Sequence, residues 1–180
     1  MAMGRDGMKV FGLAGWSGSG KTTLMVKLVP EMISRGLTVS TMKHTHHSFD
    51  IDKPGKDSFE HRAAGATEVM VTSAKRWALM HELRGVPEPT MDEQMARMTP
   101  VDILLVEGFK SYKHAKMEVF RPSVGKPMLC RDDPTIVAVA SDEPLHGLDV
   151  PVFDLNDVGK ISDFIVAHVG LEAMVRNGAA

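Results

Sequence analysis

Eight consecutive residues, Gly15-Trp16-Ser17-Gly18-Ser19-Gly20-Lys21-Thr22, satisfy the spacing G-x-x-x-x-G-K-[ST]. The chemistry that needs this pattern is the cradling of polyphosphate. Glycines at 15, 18 and 20 permit dihedrals and close backbone approaches that a Cβ obstructs. Successive N–H groups, including those of Ser17 and Ser19, can then turn inward on phosphate oxygens, helped by the positive end of the following helix. Lys21 brings a mobile cation to the terminal phosphates, and the Thr22 hydroxyl is a hard oxygen donor suited to Mg²⁺. Phosphate contacts are therefore expected from Gly15, Ser17, Gly18, Ser19, Gly20, Lys21, Thr22 and Thr23. A glycine-rich turn that merely precedes a helix would not require all eight positions.

A second element should supply a carboxylate. Asp102-Ile103-Leu104-Leu105-Val106-Glu107-Gly108 reads as a buried strand closed by an acid, and a strand-end acid is what holds or orients Mg²⁺ beside such a loop. Glu107 stands at the C-terminal end, the end at which Gly15 leaves its own strand. Asp102 stands at the opposite end, too far away for the same task. Between these elements lies a polar stretch, Lys43 to Lys56, with His44, His46, His47, Asp50 and Asp52. It has three readings. It can be a switch beside the phosphates from which Asp50 or Asp52 reaches Mg²⁺ or its water, a transition-metal cluster, or a solvated loop. The H-x-H-H spacing lacks a cysteine partner and a tetrahedral zinc pattern, which counts against the metal cluster.

These residues must be positioned by a sheet. Val10 to Ala14 is a mostly apolar run of strand length, and Leu24, Met25, Leu28, Val29 and Ile33 then recur at helical spacing. That helix should stop near Gly36, with a kink at Pro30. Leu37–Met42 reads as a second strand, completing a strand–helix–strand unit that implies parallel pairing. Asp57 with Glu60, and Thr90 with Glu93, can form capping boxes, and Asn156 can cap a last helix. Glu68–Val71 and Trp77–Met80 read as strands joined tightly around Ser73 to Lys75. Met117–Phe120, Thr135–Ala140 and Val150–Phe153 are three further strands. Met91, Met95 and Met98 form a helical stripe best explained as core packing. Some strands lack an intervening helix, so part of the sheet is expected to be antiparallel. The fold class is α/β, a P-loop NTPase-like, mixed but mainly parallel sheet flanked by helices.

The chain has 180 residues, 43% hydrophobic and 24% charged, with formal net charge −2. This suits one nucleotide-binding domain over 1–180 with a core of about 8–170, and gives no basis for nucleic-acid binding. The single cysteine, Cys130, excludes an internal disulfide and a CxxC metal site. No apolar run approaches membrane-spanning length and no signal-peptide core is evident, so a soluble, cytoplasmic protein is expected. One function class that the loop and chain length suit is a small-molecule kinase, which would need an arginine-bearing lid in the segment Arg76 to Arg97. Trp77–Met80 reads as strand there, which disfavours a lid.

Several segments occur in one order: Gly15 to Thr23, Lys43-His44-Thr45-His46-His47, Asp52-Lys53-Pro54-Gly55-Lys56-Asp57-Ser58, Arg76-Trp77-Ala78-Leu79-Met80, Leu105 to Lys110 and Val137 to Asp142. Together they resemble the family of B-type adapter proteins of molybdopterin-guanine dinucleotide biosynthesis, over about residues 8 to 170. The resemblance implies a dimeric GTP-binding protein with Mg²⁺ as cofactor and weak GTPase activity. Its partner would be the guanylyltransferase that attaches GMP to molybdopterin. The Asn-Lys-x-Asp motif of regulatory GTPases is absent, which leaves Ser141 and Asp142 as candidates for reading guanine. The metal set would be Thr22, Glu107 and Asp52. Contacts to the pterin cofactor or to the partner would fall to His44, His46, His47, Lys53, Lys56, Asp57 and Arg62, the three cations suiting the molybdopterin phosphate. No water-positioning glutamine or internal arginine finger can be assigned, so turnover should be slow and partner-dependent.

Overall fold

In the computed structural model, which describes residues 7–45, 49–109 and 112–175, the chain runs β1 (Lys9–Ala14), α1 (Lys21–Ser34), β2 (Val39–Lys43), α2 (Asp57–Ala63), β3 (Glu68–Thr72), β4 (Trp77–His81), α3 (Met91–Met95), β5 (Ile103–Glu107), β6 (Lys116–Phe120), β7 (Ile136–Ser141), β8 (Val152–Asp154) and α4 (Val158–Val169). Six strands make one sheet in the order β2-β5-β1-β6-β7-β8, and every pairing in it is parallel. The antiparallel pairing expected from the sequence exists, but outside this sheet. β3 and β4 form a separate two-stranded hairpin. Residues up to His44 and from Met91 onward form one compact unit, and Thr45–Thr90 form the second.

Alternation along the central strands builds the larger unit's two cores. Phe11, Leu13, Ile103, Leu105, Met117 and Val119 face α1 and α4, where Leu24, Leu28, Met32, Ile161 and Ile165 meet them. The opposite positions Val10, Leu104 and Val106 pack with Met8 and the α3 residues Met91 and Met95, with Met98 at the margin. The methionine stripe is thus core packing, as its spacing indicated. Ile103 through Val106 are buried without exception, the pattern of a central parallel strand covered on both faces. Arg35 ties α1 to α4 by pairing with Glu31 and Asp163 and donating to the Gly159 carbonyl.

Helix ends depart from the sequence expectation by a residue. The cap of α4 is Asp157, whose carboxylate accepts the Lys160 N–H at 3.0 Å. Asn156 instead donates its backbone N–H to Asp154. Asp57 is the first helical residue of α2 and Lys56 takes the cap position, with no side-chain cap bond. An acid in the first turn still complements the helix dipole there. α1 continues through Pro30 to Ser34, and Gly36 follows with φ +89°, suiting its role just beyond a helix end.

Beyond β1 the second face of the sheet turns polar. Lys116 and Glu118 alternate with the core residues Met117 and Val119, and both are buried. The Lys116 ammonium donates to the Tyr112 carbonyl at 2.8 Å and to the Thr135 hydroxyl at 2.7 Å, with Asp133 3.6 Å away. Glu118 accepts the N–H groups of Leu129 and Cys130 at 2.8 and 2.9 Å, fixing the segment between β6 and β7. His114 is wedged against Gly12, where a Cβ would come within 2.4 Å of its Nε2. Burial, reinforced by the Lys116 charge, pushes the His114 pKa down to about 4.

A neutral buried imidazole makes stability pH-dependent. Between its unfolded pKa of roughly 6.5 and the native value of about 4, the unfolded chain binds one proton more than the native chain. Stability should therefore fall as pH drops through that window and level off below it with respect to this group. His114→Gln should flatten the pH dependence of the urea midpoint between pH 6.5 and 4. An unchanged slope would show that His114 is not the group responsible.

Candidate functional site

The parallel sheet delivers the C-terminal ends of β1, β5, β6 and β7 to one edge, and the candidate residues gather there. β1 ends at Ala14 and the loop Gly15–Gly20 turns the chain into α1. Gly15 has φ +137°, and a Cβ on it would lie 2.5 Å from the Val119 carbonyl oxygen and 2.7 Å from Ser19 Oγ. No other residue fits that passage. Gly18 and Gly20 also hold positive φ, but Gly18 has open space around it. Lys21 Nζ donates to the carbonyls of Gly15 and Trp16 at 2.9 and 2.8 Å, so its ammonium lies across the loop mouth. Among the described residues no side chain caps the N-terminus of α1, and its first turn carries no acid. The positive end of that 14-residue helix dipole therefore faces the loop without a side-chain acceptor. Ser19 Oγ, buried within the loop, has no hydrogen-bond partner among the described residues.

Glu107 stands at the end of β5, level with Leu13 of β1 and Lys43 of β2. Its carboxylate lies 3.2 and 3.3 Å from Thr22 Oγ1, and the Lys43 ammonium is 3.6 Å away. The structure thus brings Thr22 and Glu107 together. Asp102, at the opposite end of β5, is occupied by the N–H and hydroxyl of Thr38 at 2.7 and 2.6 Å. His44 donates its N–H to the Glu107 carbonyl at 2.9 Å, and its ring leans on Phe109 at 4.7 Å. Gly108, with φ +95°, passes so close to His44 that a Cβ would lie 2.7 Å from its carbonyl oxygen.

Ser141 and Asp142 follow β7 at the same edge. Ser141 is buried, and its Oγ accepts the Glu143 N–H at 3.2 Å. Both residues line a cavity of about 340 Å³ with Glu143, Leu145, Phe153 and Asp154. Arg121, one residue past β6, escaped the sequence reading. It donates Nε to the Ser19 carbonyl at 3.0 Å and Nη1 to Asp142. Lys43 at Glu107 also went unnoticed as a site residue. Lys43 closes β2 and Arg121 follows β6, positions that identify them only once the strand order is known.

The second unit holds the other candidates. Asp52 accepts the Lys53 N–H at 3.0 Å and the Ser58 hydroxyl at 2.9 Å. Arg62 is committed within the unit: it pairs with Asp50 at 2.6 Å and Glu82 at 3.2 Å, and lies over the Phe59 ring. The Arg62 guanidinium holds the Asp50 carboxyl below the usual range. Lys53, Lys56 and Asp57 are exposed. His46 and His47 lie outside the described residues. Arg84 donates to the Arg62 and Ala66 carbonyls, and Arg76 directly precedes β4, so this part of the segment proposed for a kinase lid is a hairpin.

The parallel sheet, the glycine loop entering α1 and the strand-end carboxylate together define the P-loop NTPase-like class of protein. Residues 10–142 match the family model described as "Molybdopterin guanine dinucleotide synthesis protein B". The chain is 45% identical over 166 residues to the molybdopterin-guanine dinucleotide biosynthesis adapter protein of Escherichia coli K12, covering 91% of this chain and 94% of that one. It is 41% identical to the protein of the same description from Haemophilus influenzae, over 87% and 86% of the two chains. A crystal structure of a MobB homologue from Bacillus stearothermophilus superposes with TM-score 0.65 at 28% identity, covering 91% of this chain and 99% of that one. The chain belongs to the molybdopterin guanine dinucleotide synthesis protein B family, whose role is in molybdopterin guanine dinucleotide biosynthesis.

The loop geometry separates two glycines. Gly15→Ala must both strain the backbone and collide with the Val119 carbonyl, and should cost ~3 kcal/mol or more. Gly18→Ala carries only the left-handed strain, about 1 kcal/mol. Chemical denaturation of the two variants checks this; equal losses would contradict the close approach at Gly15.

Proposed function

We propose that this chain is a GTP-binding adapter with weak GTPase activity, acting beside the guanylyltransferase that attaches GMP to molybdopterin. The observation that carries the nucleotide reading is the loop itself: an uncapped helix N-terminus, inward-facing Lys21 and an orphaned buried Ser19 hydroxyl at one point. Family membership supports the pathway, and the names of its relatives support the adapter role. Guanine is favoured by the cavity after β7, whose polar lining includes three carboxylates, from Asp142, Glu143 and Asp154. Carboxylates accept hydrogen bonds, and guanine's pairing edge offers two N–H donors that adenine lacks in that arrangement.

Mg²⁺ fits the pair Thr22 and Glu107. Two hard oxygens 3.2 Å apart are spaced as neighbouring ligands of one small octahedral cation, for which bonds of about 2.0–2.1 Å place adjacent oxygens about 2.9 Å apart. When bound, the ion would neutralise charge on the β- and γ-phosphates. Lys21 would move from the loop carbonyls to the phosphates, and Ser19 would gain an acceptor. Asp52 is a further metal candidate from the second unit. Lys53 and Lys56 are exposed cations available to a pterin phosphate. Arg62 is less so, because its guanidinium already meets Asp50 and Glu82.

The dimer reading rests on the hairpin. Cross-strand pairing puts Met70 opposite Leu79 and Thr72 opposite Trp77, so Met70, Leu79 and Trp77 share one face. Met70 is 60% exposed and Trp77 64%. An apolar hairpin face left open to water is unfavourable, and a second copy is the occupant proposed here.

Two outcomes are expected. Lys21→Ala should abolish GTP binding in titration calorimetry while the fold survives; unchanged affinity would overturn the phosphate-loop assignment. Trp77→Glu should convert a dimer to monomers in sedimentation equilibrium. A wild-type chain that sediments as a monomer, or a variant that stays dimeric, would remove the hairpin from the interface.

A further inference from the structure

Arg121 bonds both to the phosphate loop and to Asp142, a residue that lines the candidate base cavity. Its Nε donates to the Ser19 carbonyl at 3.0 Å and its Nη1 to Asp142 Oδ2. A small recess of about 20 Å³ lined by Gly20, Thr23, Lys27, Arg121, Leu155 and Asn156 lies beside it. A Cβ on Gly20 would come within 3.4 Å of Arg121 Nε, so the guanidinium rests directly on the start of α1.

The placement follows from register. β6 and β7 are parallel, and Phe120 pairs with Ser141, so Arg121 and Asp142 are the next residues on neighbouring strands. The pairing shifts by one between Lys116 and Met117, which face Ile136 and Ala138 with Val137 skipped. Without that extra residue Phe120 would face Ala140, and Asp142 would fall one position out of reach of Arg121. An irregularity that re-aims a side chain beside a site is a recurring use of such bulges. The bonding pattern also selects arginine. Only a planar fork can donate from two nitrogens to acceptors on different elements while holding a fixed orientation; an ammonium on a flexible stem cannot.

We infer that Arg121 is a positioning residue for base selection: it clamps the Asp142 carboxylate to the Ser19 carbonyl of the phosphate loop, setting the distance between phosphate cradle and base-reading carboxylate. This rests on the proposed reading of Asp142 as the guanine acceptor. A carboxylate free to rotate loses the geometry that distinguishes guanine from adenine, although the phosphate cradle still holds either nucleotide. Arg121 therefore acts on selectivity, whereas Lys21 acts on affinity for any nucleoside triphosphate.

The test compares affinities for GTP, ATP and xanthosine triphosphate with Mg²⁺, by titration calorimetry, in the full-length wild type and in Arg121→Gln, Arg121→Lys and Asp142→Asn. Wild type should prefer GTP over ATP. Asp142→Asn should lose that preference and gain affinity for xanthosine triphosphate, whose base offers an acceptor where guanine offers a donor. Arg121→Gln and Arg121→Lys should each lower the GTP-to-ATP affinity ratio about tenfold or more, the scale of a lost charged hydrogen bond. Equal weakening of GTP and ATP by Arg121→Gln would assign Arg121 to phosphate charge and overturn the inference. So would full retention of the ratio by Arg121→Lys. If Asp142→Asn leaves the ratio unchanged, or wild type binds GTP and ATP alike, the guanine reading fails first and takes the inference with it. Collapse of the ratio in Asp142→Asn alone would keep the base contact and refute the clamp.

Discussion

The parallel alignment of β5, β1 and β6 is the constraint on which the rest depends. β1 is hydrogen-bonded on both sides, and its neighbours run in its own direction. Whatever follows these strands must therefore emerge at one edge. Gly15 follows β1, Glu107 closes β5 and Arg121 follows β6, so loop, carboxylate and guanidinium meet although they are far apart in sequence. The geometry is enforced by burial. Ile103–Val106 are buried on both faces, and a one-residue slip would send each side chain into the opposite core, which is packed for a different residue.

The loop is further held from the side by polar anchors. Glu118, buried under the sheet's second face, accepts two backbone N–H groups from Leu129 and Cys130. That segment in turn presents the Pro127 carbonyl to the Trp16 indole N–H at 2.7 Å, with Lys126 near the same ring. A buried carboxylate is expensive unless its oxygens are satisfied, and here the satisfaction organises a connection that contains no α-helix. The stability of the loop is thus coupled to a cluster that no phosphate chemistry would require.

Local features of the chain were legible in the sequence. The phosphate loop occupies eight adjacent residues, Glu107 ends a continuous apolar run, and the methionine stripe repeats at helical spacing. The hairpin was legible because its turn at Ser73–Lys75 is short; that it stands apart from the main sheet was not, since this depends on which strand edges remain open. Arg121 and Lys43 were missed because their roles are set by strand order and by the register shift opposite Val137. Neither leaves a mark in a single sequence. The helix caps fall at Asp157 and Lys56, one residue from Asn156 and Asp57, because the backbone turn sets where each helix begins whatever the neighbouring side chain could accept.

The adapter role in molybdopterin guanine dinucleotide biosynthesis that the family supports accords with the phosphate site proposed for the loop. The most direct measurement is a crystal structure with Mg²⁺ and a non-hydrolysable GTP analogue. The account predicts phosphates on the backbone N–H groups of Gly15–Thr22, the ion between Thr22 and Glu107, and the guanine edge against Asp142. An analogue seated elsewhere, or phosphates on the loop with the base turned away from the β7–β8 cavity, would contradict it.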